Sequence, residues 1–201
     1  MAPAWKVTTA QFAVGGRGDK IHFFDSAHQA GDYGWHIVDA HGLPYAHVFT
    51  EPSIAACSTW TAGTDAISST ASHEALEMLA DPATTDYSFN GQRRLWAHEV
   101  CDAVQASTYR IVARRTRIAV SNFVLPAFFD PWADGPYDHL GILKKPFSLA
   151  PGGYAIVQRA TRSTERDARF EVTFDKAMPA WQRDQKLHGW GRTYWRLAVN
   201  P

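Results

Sequence analysis

The sequence predicts an α+β fold with a mixed sheet and one central helix. Three observations predict it. Segments rich in β-branched and aromatic residues occupy the first part of the chain. A stretch free of Gly and Pro then runs from about Asp65 to Ala80, its second half dominated by Ala, Leu, Met and Glu. Strand-like segments return after it, so the order is strands, helix, strands. A chain of 201 residues is long enough for one sizeable core. A single domain is expected, with an aromatic-rich β extension over about 150–201.

In chain order, Trp5–Ala13 and Lys20–Asp25 read as strands on either side of a glycine-rich turn. Trp35–Val38 and Tyr45–Thr50 are two short strands around the turn 39–44, and Pro52 and Gly63 bracket a loop. The helix ends at Asp81-Pro82, because the residue before proline is pushed out of the α region. Residues 83–95, which include Asn90-Gly91, read as loop. Residues 96–104 are ambiguous between helix and strand. Tyr109–Phe123 forms one or two strands, 130–137 a loop, and Tyr154–Gln158, Arg169–Phe174 and Tyr194–Val199 strands of the tail.

Composition excludes several classes. Lys+Arg and Asp+Glu are both 20, so no basic excess suggests a nucleic-acid partner. Arg110, Arg114, Arg115 and Arg117 cluster, and an exposed strand edge explains them better than a phosphate site. No run of about 18 apolar residues offers a membrane span, and no secretory signal opens the chain as given. A cytoplasmic or virion-associated setting is expected. Cys57 and Cys101, the two cysteines, lack metal or CxxC spacing and are expected as free thiols. The eight tryptophans suit an irregular aromatic core or a binding surface.

The chemistry sits on the helix. At about 100° per residue, Glu77 falls about 40°, Asp81 about 80° and Glu74 about 100° from His73. Ala75, Leu76, Met78 and Leu79 fill the opposite arc, so the helix is amphipathic. A solvated polar face is the commoner explanation of such a pattern. Two details oppose it. Glu77 and Asp81 lie near the helix C-terminus, where the macrodipole disfavours acids. They also form a like-charge i,i+4 pair with no Lys or Arg beside them. A cation would compensate both.

His73 and Glu77 project side by side, spaced to grip one ion. Glu74 then lies beside the open coordination position, where it can take a proton from water, as in the His-Glu-x-x-His metalloproteases. A carboxylate in place of the second His makes the site more anionic and eases binding of harder ions. Zinc is the expected cofactor, with calcium or another divalent cation as the alternative. Asp81 lies about 12 Å from His73 along the axis, too far to share its ion. It is expected to act as a support or loop anchor, or else to bind a second ion such as calcium.

The longer pattern is more specific. Ser72-His73-Glu74-Ala-Leu-Glu77-Met-Leu-Ala-Asp81-Pro82, followed by Glu99-Val-Cys-Asp102, resembles the metallopeptidases related to the EXORDIUM/phosphate-induced proteins and their bacterial and phage relatives. The resemblance covers residues 72–102 and, less closely, 34–49 and 120–126. It implies a zincin-like domain with an active-site helix at about 65–81, and peptide-bond hydrolysis by metal-bound water activated by Glu74. It implies His73 and Glu77 as metal ligands, Glu99 as the third, and Asp102 as a further ligand or a partner of His73. The family's cysteine two residues beyond the Asp is Val104 here, so the resemblance assigns no Cys57–Cys101 bridge.

In zincin folds a strand ahead of the helix pairs with an extended substrate. Tyr45–Thr50 is the candidate, with His36, Tyr45 and Val48 as substrate contacts. For His36, His41 and His47 alike, an ordinary surface or core imidazole is the simpler reading. An oxyanion would need a donor, for which Tyr109, His36 and a backbone N–H are candidates. The partner expected is a peptide or protein substrate, with no nucleic acid and no membrane. Two other functions compete: a non-catalytic, metal-stabilised structural or protein-binding module, as in a phage particle, and hydrolysis of a non-peptide amide in a cell-wall polymer.

Overall fold

A computed structural model describes residues 2–6, 18–26, 32–63, 65–159, 170–176, 178 and 183. Helices and sheets are mixed, as the α+β pattern requires. The chain begins with a short helix, α1 (Ala2–Trp5), followed by β1 (Lys20–Phe24), β2 (Gly34–Val38) and β3 (Pro44–Phe49). The strand expected over 5–13 is not seen at Trp5, which is helical, and its remainder lies outside the described residues. The three strands form one sheet in the order β1-β3-β2, with β3 parallel to β1 and antiparallel to β2.

The 50–63 segment differs from the expected loop. Thr50–Ala55 is a helix, α2, with Pro52 in its first turn. Proline is tolerated there because the first-turn N–H groups have no intrahelical acceptor in any case. The central helix, α3, spans Ile67–Ala80 and stops at Asp81. Its first N–H groups are met from outside: Ile67 N and Ser68 N donate to the carbonyls of Thr59 and Trp60.

Asn90-Gly91 turns a hairpin between β4 (Tyr87–Phe89) and β5 (Arg94–Ala97), in place of the continuous loop expected over 83–95. Gly91 has φ +77°, and the Asn90 side chain accepts the N–H groups of Gln92 and Arg94. A second hairpin pairs β6 (Thr108–Ala113) with β7 (Thr116–Ser121). Arg114 and Arg115 both take positive φ in its turn, and the four clustered arginines are all exposed. β8 (Tyr154–Arg159) inserts between β5 and β9 (Phe170–Phe174), giving a sheet of order β4-β5-β8-β9. Tyr194–Val199 and Trp181, Trp190 and Trp195 lie outside the described residues. Among the described residues no helix is long and apolar enough to cross a membrane.

One core, containing Trp96, Val100, Val104, Phe123, Phe128 and Val157, joins β5, β8 and the segments 100–104 and 123–129. Helix α3 packs between this region and the first sheet, against β2, β3 and β7. Its serines dock it. Ser68 Oγ donates to the Ala119 carbonyl, and Ser72 Oγ accepts Ser121 N–H while donating to the Ser69 carbonyl. The register of the first sheet then decides what faces α3. His36 pairs with Ala46 and Gly34 with Val48, so these four share one side. Ala46 and Val48 are fully buried there.

Candidate metal centre

The polar face of α3 is not solvated. Glu74 and Glu77 are 5% and 3% exposed. The face closes because β2 approaches tightly where Gly34 has no side chain. A Cβ on Gly34 would sit 2.8 Å from Thr70 Cγ2 and 3.0 Å from Glu74 Oε1. Opposite β2, the chain leaves β5 and turns through residues 99–104, bringing Glu99 and Asp102 to the same place.

The donors form two groups around Glu77. In the first, His73 Nε2 lies 3.2 Å from Glu77 Oε2 and 3.2 Å from Asp102 Oδ1. In the second, His36 Nδ1 lies 3.1 Å from Glu74 Oε2 and 3.4 Å from Glu77 Oε2. Each group offers three donor atoms within 4.8 Å of one another. Donors bonded at about 2.0–2.1 Å to a tetrahedral ion stand about 3.3–3.4 Å apart. The observed separations match that edge length. Glu77 is held by its other oxygen, Oε1, which accepts Cys101 N–H at 3.1 Å. Asp102 is 1% exposed, yet neither of its oxygens accepts a well-formed hydrogen bond, although Tyr154 packs beside it.

The electrostatics are those of an anionic interior. Burial alone would lower the His36 pKa, but Glu99, Glu74 and Glu77 outweigh it and push it up to about 10. The same contest, with Glu77 and Asp102 prevailing over burial, raises His73 well above the ordinary histidine value. Burial holds Glu77 above the usual carboxylate range despite His73, and Asp102 adds to the effect. Burial first, then the nearby carboxylates, pushes Cys101 and Tyr154 up. Buried charge of one sign demands cations, whether protons or metal.

Several expected placements need correction. Glu99 Oε2 lies 3.6 Å from His36 Nε2, and Asp102 is the third donor grouped with His73 and Glu77. His36 is not a surface contact for substrate. Its side chain is 6% exposed and lies among carboxylates. Val48 is fully buried beneath α3 and cannot meet a substrate. Tyr45 points to the opposite side of the sheet, in contact with Trp35 and His47. β3 itself is paired on both sides, so Tyr45–Thr50 is not an edge; β2 is an edge among the described residues. His41 lies in the exposed turn before β3.

Asp81 acts as a loop anchor. Its two oxygens accept the N–H groups of Thr85 and Asp86, at 3.2 and 2.8 Å. The Tyr109 ring lies tilted against His139, and the Cys101 thiol adds to the upward shift that burial gives its phenol. Cys57 is exposed, Cys101 is buried, and both are free. Sequence reasoning undervalued His36. The signal for it was strand alternation, which sets His36 on the side of Ala46 and Val48 and opposite to Trp35 and His47. Comparison with protein-family models, curated proteins and solved structures finds no match.

Proposed function

We propose that the chain is a metal-dependent hydrolase of peptide bonds, with His73, Glu77 and Asp102 holding a divalent cation and Glu74 acting as general base. The observation that carries this reading is the mutual 3.2 Å spacing of His73 Nε2 with Glu77 Oε2 and Asp102 Oδ1 in a buried setting. One nitrogen and two carboxylate oxygens suit zinc, and the anionic set also admits calcium or another divalent cation. Such a cation would lower the pKa of a water molecule and polarise a carbonyl.

Glu74 is the next residue after His73, and its Oε1 lies against the close approach of Gly34, 3.0 Å from where a Cβ there would stand. There it takes a proton from water and passes it to the leaving amine. Its Oε2 is oriented by His36 Nδ1. Cys101 N–H orients Glu77 by hydrogen bonding to Oε1. Among the described residues β2 lies at the sheet edge, next to α3, and is the strand suited to pair with an extended substrate. A helix of this kind beside an edge strand, together with the resemblance over residues 72–102, supports a zincin-like arrangement. With Glu99 beside His36, the group of His73, Glu77 and Asp102 offers three protein donors, which favours an open catalytic position over a closed structural one.

The test is metal analysis of purified wild type and Glu74→Gln, with hydrolysis of peptide substrates measured beside it. Retention of the ion held by His73, Glu77 and Asp102 in Glu74→Gln, with activity lost, is the expected result. Unchanged activity in that variant would contradict the proposed role of Glu74.

A further inference from the structure

We propose that the cluster holds two divalent cations, the second between His36 Nδ1, Glu74 Oε2 and Glu77 Oε2. This rests on the reading of His73, Glu77 and Asp102 as the donors of the first ion. Glu77 belongs to both groups, and its Oε2 stands 3.2 Å from one imidazole and 3.4 Å from the other. A shared carboxylate is the usual bridge of paired-ion hydrolytic sites, in which two ions stabilise the attacking and leaving atoms together.

Two further observations point to a ligand. The first is the orientation of His36. Its Nε2 faces Glu99 Oε2 at 3.6 Å, while Nδ1 faces two other carboxylate oxygens at 3.1 and 3.4 Å. A histidine that ligates a metal typically directs its second nitrogen at a carboxylate, which fixes the tautomer with the proton on that side. Nδ1 then faces two carboxylate oxygens, and a metal ion there takes the place that a proton on Nδ1 fills in its absence. The second is Asp102. It is 1% exposed, and neither of its oxygens accepts a well-formed hydrogen bond inside the same cluster. No backbone N–H serves this buried carboxylate, which has only the His73 imidazole and the Tyr154 phenol beside it, so a coordinated cation would lower the cost of its burial. The second set uses only Oε2 of Glu74. Its Oε1, 3.0 Å from where a Gly34 Cβ would lie, stays available for proton transfer.

The experiment is zinc titration of chelator-stripped full-length protein, with bound zinc counted by elemental analysis after gel filtration. Wild type is expected to bind two ions per chain and His36→Ala one. Glu99→Gln should keep the first ion and weaken the second by about 10–100-fold, the usual effect of losing a carboxylate that orients a ligating histidine. Circular dichroism reports whether each variant is folded; should His36→Ala fail to fold, the wild-type count and Glu99→Gln decide. One ion in wild type, retained in His36→Ala, would overturn the second site and leave the first standing. Two ions in both proteins would place the second elsewhere and overturn the proposal. No bound ion in wild type would overturn this inference and the hydrolase reading together.

Discussion

Asp102 and Asp138 are both 1% exposed, yet their surroundings are opposite. Asp138 is fully served by donors. Its Oδ1 accepts Leu143 N–H at 2.8 Å, and its Oδ2 accepts Asn122 Nδ2 at 2.8 Å and Leu140 N–H at 3.1 Å. Asp102 has a histidine 3.2 Å away and no well-formed hydrogen bond. Asp138 ties the 138–143 turn to Asn122, and its charge is answered by dipoles of the chain itself. Asp102 lies among imidazoles and carboxylates, with no backbone N–H answering its charge. Burial of a carboxylate alone therefore does not separate a structural aspartate from a ligand; the donors around it do.

That difference can be broken or sharpened by substitution. The largest effect is expected at Glu74, where Glu74→Gln should lower peptide hydrolysis by about 10²–10⁴-fold, the range for loss of a general base. The ion assigned to His73, Glu77 and Asp102 should stay; kinetics and metal analysis on the same sample check both. Next come the two aspartates themselves. Asp138→Ala strands two buried donors, Asn122 Nδ2 and Leu143 N–H, and should lose about 2 kcal/mol or more of stability, with zinc content unchanged. Asp102→Asn should do the reverse, shifting metal-free stability by about 1 kcal/mol or less while zinc content falls by one ion per chain. Denaturant melts and zinc counts on both variants would show whether the two effects separate.

Gly34→Ala should move both quantities. The added Cβ would stand 2.9 Å from the His47 carbonyl and 3.0 Å from Glu74 Oε1, and the backbone contact cannot yield by a rotamer change. A loss of about 1–3 kcal/mol is expected from such overpacking, with a fall in hydrolysis as Glu74 is displaced. The smallest effect is at Asp39, which accepts the N–H groups of His41 and Leu43 in water rather than in the core. Those bonds hold its pKa below the usual 3.8. A carboxylate with a depressed folded-state pKa contributes stability above its unfolded value and loses it as pH falls through the folded one. Asp39→Ala should therefore be slightly less stable than wild type near neutrality. The gap should narrow as pH drops below 3.8, as read from unfolding midpoints at several pH values.

Much of this site was legible in the sequence because it lies on a helix. Side chains four residues apart meet whatever surrounds them, so His73 and Glu77 needed only the helix, whose end Asp81-Pro82 marks. Glu99 and Asp102 were legible as a pair, but not which of them faces His73. That depends on the turn through residues 100–104, where Cys101 N–H meets Glu77. His36 depends on strand register, a long-range property that no local window contains. The β4–β5 hairpin was missed for a similar reason: strands of three and four residues are too short for alternation to show, although Asn90-Gly91 marks the turn. Helix α2 was masked by Pro52, which reads as a breaker unless it falls in a first turn.

Glu77 is common to both groups of donors, so the zinc response of Glu77→Gln tests the account most directly. The amide oxygen of Gln can still accept Cys101 N–H, which separates loss of charge from loss of packing. At zinc about 100-fold above its dissociation constant, wild type should gain about 2.7 kcal/mol for each ion bound, or roughly 5–10 °C in unfolding midpoint per ion. Glu77→Gln should show no rise at the same zinc concentration. An equal rise in the variant, or none in wild type, would contradict the claim that these side chains form a metal centre.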